Sequence, residues 1–155
     1  MSESSPQEPK KSGTAQRKKA RKLILQALYQ WQISGSSIAQ VEAEFRADND
    51  FDRIDAEYFK SVFREIPKMV TELDRDIEPF LDRPVSDVDP VEMSLLRMGV
   101  FEFKYRVDVP YRVVINEAVE LAKMFGGTDG HKYINSILDK LSLRLRAAET
   151  RNKRD

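Results

Sequence analysis

Apolar side chains recur at steps of three and four along most of the chain, the spacing of helices with one buried face. Leu23, Ile24, Ala27, Leu28 and Trp31 trace the first stripe, and Gly35 supplies a stop. Ile38, Val41 and Phe45 carry a short second helix that starts near Ser36 or Ser37. Tyr58, Phe59, Val62, Phe63, Ile66 and Val70 mark a third, which Pro67 must kink or end. Leu73, Ile77, Phe80 and Leu81 form a fourth group ahead of Arg83-Pro84. Asp89-Pro90-Val91-Glu92 is the clearest start signal: an N-cap, a proline at N1 and an acid at N3, the arrangement of a capping box.

Val91, Leu95, Leu96, Gly99 and Phe103 then predict a buried fifth helix, with Gly99 admitting a close neighbour. After Val109-Pro110, the run from Val113 to Phe125 gives a sixth helix ended by Gly126-Gly127. Thr128 or Asp129 caps a seventh, carried by Tyr133, Ile134, Ile137, Leu138 and Leu141. Alternation of the strand type exceeds four residues only between Tyr105 and Val114, where Pro110 interrupts it. The pattern predicts an all-α protein of about seven helices, arranged as two packed three-helix bundles. Its ends fall outside the pattern. Residues 1–16 are expected to form a disordered extension, 17–146 the helical domain and 147–155 a flexible basic tail.

A chain of 155 residues can bury a core without disulfides or a structural metal. There is no Cys and one histidine, His131, so thiolate zinc sites, cysteine nucleophiles and His clusters are excluded. The N-terminal segment lacks the apolar run of a signal peptide, and no stretch approaches a membrane span. A cytoplasmic protein without membrane contact is expected.

The 26 basic and 26 acidic residues cancel, but unevenly. Residues 1–22 carry seven basic side chains against two acidic, and 42–78 carry twelve acidic against six basic. The tail is basic again. This distribution suggests one side facing a polyanion and another facing solvent or a partner protein.

Catalytic motifs are absent from the sequence. The glycine-rich run Gly126-Gly127-Thr128-Asp129-Gly130-His131-Lys132 follows no strand, and it reads better as a helix–loop–helix joint than as a phosphate loop. An enzyme is not expected, nor any cofactor or metal. The dense basic run from Arg17 to Lys22 suits phosphate contacts, and Tyr29 follows two turns later as a ring able to stack on an unpaired base.

Specific strings then add a resemblance. Ala20-Arg21, Leu25-Gln26-Ala27-Leu28-Tyr29 and Trp31-Gln32 stand near the start. Further on come Asp108-Val109-Pro110-Tyr111, the run Val114 to Lys123 and Phe125-Gly126, then His131 to Asn135 and Leu138-Asp139-Lys140. Over residues 17–146 the chain resembles the NusB family of bacterial transcription antitermination factors. That resemblance implies an all-helical protein that binds the single-stranded boxA element of nascent RNA with NusE, a ribosomal protein. It implies action in the RNA polymerase antitermination complex, notably on ribosomal RNA operons, and a possible homodimer.

The resemblance also implies roles for particular residues. Arg17, Lys18, Lys19 and Arg21 match the family's arginine-rich RNA segment, with two of its arginines replaced by lysine. Tyr29, Phe125 and Tyr133 match aromatics near RNA, Asp129 an acidic position near the same face, and Glu92 a position on the NusE side. As an N3 cap, Glu92 has an equally good structural role. Two other readings stand beside this one. The chain could be a detached RNA-binding domain related to ribosomal RNA methyltransferases, or a protein–protein adaptor whose acidic middle binds a basic partner.

Overall fold

The computed structural model describes residues 13–154, which fold into eight α-helices joined by turns and short 3-10 segments, with no strand among them. The first twelve positions of the expected extension lie outside the described residues. Two compact units divide the chain, one up to Arg64 and one from Glu65 onward.

The first unit is a three-helix bundle of α1 (Thr14–Ser34), α2 (Ile38–Asp48) and α3 (Ala56–Phe63). Helix α1 starts at Thr14, so residues 14–16 of the expected extension are helical instead, and the Gln16 side chain accepts a hydrogen bond from the Gly13 N–H at 3.1 Å. It ends at Gly35, whose φ of 74° is the left-handed cap that a residue with a Cβ adopts only under strain. Leu23, Ile24, Leu25, Ala27 and Leu28 are buried, whereas Trp31, read as core from its spacing, is half-buried. Ser37 caps α2 by accepting from Gln40 N–H, and Asp55 caps α3 by accepting from Tyr58 N–H.

One buried carboxylate ties the loop side of this bundle together. Glu42 on α2 takes both Nε and a terminal nitrogen of Arg64 at 2.8 Å, and Nε of Arg46 at 2.9 Å. The Arg64 hydrogen bonds are the main cause that holds its pKa down to about 2, against burial, which raises it. A depressed carboxyl stabilises the fold above its unfolded value of 4.5 and loses that contribution as pH falls toward 2. Glu42→Gln is therefore expected to cost about 2 kcal/mol at pH 7, discounted because both arginines reach solvent. Urea melts at pH 7 and pH 2.5 check this: the gap between variant and parent should shrink sharply at the lower pH.

The second unit contains α4 (Val70–Ile77), α5 (Pro90–Tyr105), α6 (Tyr111–Phe125), α7 (Gly130–Leu145) and α8 (Ala147–Arg154). Pro67 sits in a 3-10 segment, Ile66–Met69, that separates α3 from α4, so the third predicted stripe is broken as its proline requires. Helix α5 is the hub: every residue from Glu92 to Phe103 is buried, as suits a helix surrounded by others. A Cβ on Gly99 would strike the Leu138 side chain, so this glycine sets the closest approach of α5 to α7. Arg97, its buried cation, is paired. Arg97 forks onto both oxygens of Asp74 at 2.8 Å, a bidentate geometry that lysine could not reproduce.

Two expectations need correction here. Residues 147–154 are helical rather than a flexible tail, and Thr150 is 1% exposed. They are held because Arg146 is buried and donates to four backbone carbonyls: Phe103 at 2.8 Å, Val109 at 2.8 Å, Arg106 at 3.1 Å and Glu102 at 3.2 Å. Glu149 accepts from the same guanidinium and from the Tyr111 N–H at 3.0 Å. One turn of chain thus caps the C-terminus of α5 and the N-terminus of α6. The second correction is the capping box at Asp89. Asp89 caps α5 by accepting from Val91 N–H at 2.7 Å, but the Glu92 side chain goes elsewhere.

Candidate nucleic-acid interface

The residues expected to face RNA fall into two sets, one on each unit. On α1, the basic run is split by the helical period. At 3.6 residues per turn, Lys18, Lys22, Tyr29 and Ile33 lie within about 60° of one another, and Lys19 borders them. All five are exposed, with Tyr29 at 39% and Ile33 at 58%. This face pairs ammonium groups with an aromatic ring.

Arg17 and Arg21 project the other way, onto α3. Arg17 Nε donates to Asp55 Oδ2 at 3.0 Å, and its guanidinium lies 3.9 Å from the centroid of the Tyr58 ring. Arg21 is 3% exposed, sits 5.2 Å from the same ring and approaches the Tyr58 hydroxyl at 3.5 Å. Asp55 also caps α3 and donates its own N–H to Gln16 O at 3.1 Å, so it fastens α1 to α3 from three directions. Arg17 and Arg21 thus make contacts on α3, whereas Lys22, the end of the same basic run, stands on the exposed face with Lys18 and Tyr29. Its signal was in the sequence: Lys22 is four residues from Lys18 and seven from Tyr29, hence on their face.

In the second unit, Phe125 ends α6 and is 36% exposed. Asp129 precedes α7 without a side-chain capping bond and pairs instead with Lys132 at 3.5 Å, both well exposed. Tyr133 is half-buried and already occupied. Its hydroxyl donates to Asp82 Oδ1 at 3.0 Å, and the Arg83 guanidinium lies 4.7 Å from its ring centroid while forking onto Asp82. Arg83 first, then the Tyr133 hydroxyl, holds the Asp82 carboxyl down to about 2. Burial, then Asp82, raises the Tyr133 hydroxyl above its ordinary value. At neutral pH the cluster is thus a carboxylate, a guanidinium and a neutral phenol, with one aromatic face covered by a cation.

Glu92 is 8% exposed at the start of α5. Its carboxylate lies against the turn at Gly130, and burial, then the nearby charge of Asp89, raises its pKa. Among the described residues no group of His, Cys, Asp and Glu could hold a metal ion, and no helix is long and apolar enough to cross a membrane.

Comparison with known proteins gives a consistent picture. The family model described as NusB family matches residues 18–143. A transcription antitermination protein NusB of Hahella chejuensis is 62% identical over 133 residues, covering 86% of this chain and 89% of its own length. The protein of the same description from Marinobacter nauticus is 52% identical, covering 97% of this chain and 99% of its own. Among solved structures, T. maritima NusB superposes with a TM-score of 0.73 at 24% identity, covering 83% of this chain and 91% of that one. A complex of the antitermination factors NusB and NusE with double-stranded RNA gives the same score and identity, covering 83% and 97%. At that identity the structural likeness concerns the fold, while the sequence matches settle the lineage. The chain belongs to the NusB family.

Proposed function

We propose that this chain is a cytoplasmic, non-enzymatic transcription antitermination factor. It binds the boxA element of nascent RNA together with NusE and acts in the RNA polymerase complex that resists premature termination. The observation that carries this reading is the exposed face of α1, where Lys18, Lys19 and Lys22 stand beside Tyr29, in a chain of this family. Lysines there neutralise phosphates, and a tyrosine ring offers a stacking surface with a polar tip. In the second unit the same reading uses Phe125, Asp129 and Tyr133, with Asp129 as an acceptor for a base amino group. Arg17 and Arg21 serve it indirectly, by holding α1 on α3. Glu92 stands at the position associated with NusE.

Fluorescence anisotropy with labelled boxA RNA tests the proposal. Binding is expected to tighten when NusE is added and to weaken when boxA is scrambled at constant length and salt. Equal affinity for both RNAs, with and without NusE, would defeat it.

A further inference from the structure

The glycine-rich joint between α6 and α7 raises a question that its resemblance to a phosphate loop does not answer: which of its glycines does the fold require? A Cβ on Gly127 would meet nothing within 4 Å. One on Gly130 would collide with a carboxylate oxygen of Glu92 and stand 3.2 Å from its carboxyl carbon. The Gly130 N–H donates to the Gly127 carbonyl at 3.1 Å, closing the turn over the same carboxylate. The Glu92 side chain therefore fills the hollow of this turn. It does so as a buried acid on α5 with no salt-bridge partner among the described residues; Arg83 acts on it through its longer-range field.

We infer that Glu92 is a positioning residue for RNA binding: its carboxylate, seated against Gly130 in the hollow of the turn, fixes the segment that joins Phe125 to Asp129. The inference rests on the proposed RNA-facing role of those two residues. It also separates two roles for one side chain. A surface anion for a partner needs its charge exposed, whereas a turn clamp needs an acceptor oxygen of the right length and can dispense with the charge.

Three single variants and one double variant distinguish these roles. Glu92→Gln keeps an acceptor oxygen and should leave RNA affinity, measured without NusE, within about twofold of the parent. Glu92→Ala opens the hollow and should weaken RNA binding about tenfold. Gly130→Ala attacks the same contact from the other side and should do the same. In the double variant Glu92→Ala/Gly130→Ala the collision is gone, so the second change should add almost nothing to the first. Amide exchange supplies a readout independent of RNA: the Gly127 and Thr128 N–H groups should exchange faster in Glu92→Ala and Gly130→Ala but not in Glu92→Gln.

Circular dichroism on each variant confirms that the helices are retained; if Glu92→Ala unfolds, Gly130→Ala and Glu92→Gln still give the exchange comparison. The inference is overturned if Glu92→Gln and Glu92→Ala are equally damaging, if only NusE binding responds, or if the turn amides stay protected throughout. Should the parent protein bind no boxA RNA, the proposed function fails, whereas the exchange pattern still decides whether Glu92 holds the turn.

Discussion

Replacing Arg146 with alanine is expected to destabilise the second unit by about 4 kcal/mol, the cost of orphaning buried polar groups together with a charge partner. The size follows from what the guanidinium does. Four carbonyls at the end of α5 and in the turn after it converge on Arg146; Glu102 and Arg106 also accept the backbone N–H groups of Arg106 and Val109, so Phe103 and Val109 depend on the guanidinium most. Glu149 would lose its cation, and with it the alignment that lets its other oxygen cap α6 at Tyr111. Arg146→Lys should recover only a small part, because one ammonium cannot span carbonyls spread over the sequence from 102 to 109. Chemical denaturation at neutral pH measures both variants, and a loss below 1 kcal/mol for alanine would show that water replaces the guanidinium without penalty.

The second large effect concerns α1, where basic residues of similar sequence context should behave oppositely. Lys18→Ala with Lys22→Ala is expected to lower RNA affinity by tenfold or more at about 0.1 M salt and to reduce the slope of log K against log salt by about 1.4, roughly 0.7 for each phosphate contact on a single strand. Folding stability should hardly change. Tyr29→Ala should cost roughly 1–3 kcal/mol of RNA binding with little change in salt slope, the signature of stacking rather than charge. Arg21→Ala should do the reverse, lowering stability by about 2–3 kcal/mol through loss of the contact with Tyr58 and leaving any folded protein with a normal salt slope. Anisotropy titrations across a salt series, paired with thermal melts, separate the cases. An Arg21 variant that stays fully stable yet loses roughly 0.7 of slope would reverse the assignment of faces.

These contrasts show what the amino-acid order makes legible. Helix positions were readable because the apolar stripes are long and the stops at Gly35, Pro67 and Gly126 are chemical ones. The close approach at Gly99 was readable too, since a glycine inside a strong stripe has few other reasons to be there. The roles of polar residues were less so. Arg17 and Lys18 are neighbours in sequence, but 100° of helical rotation sends one to Asp55 and the other to solvent. Glu92 carries a capping-box spacing, yet a glycine turn nearly forty residues later offers its carboxylate a better seat. The segment after Leu145 has a mean composition that suggests a tail, and only the long-range contacts of Arg146 and Glu149 make it part of the fold. Periodicity reports which face is apolar; it is silent on which distant donor a carboxylate will meet.

The Arg146 cluster also orders events during synthesis. The carbonyls it satisfies are made 37 to 44 residues before it, so their donor is always synthesised later. Helix α7 ends one residue before Arg146, so the helix that completes the apolar packing on α5 and α6 and the guanidinium reach the folding chain together, and the junction between α5 and α6 must stay hydrated until then. The first unit has no such debt to later sequence, since Asp55, Arg17 and Tyr58 are all present once α3 is complete. Its bundle can close early, while the second unit locks in a single late step.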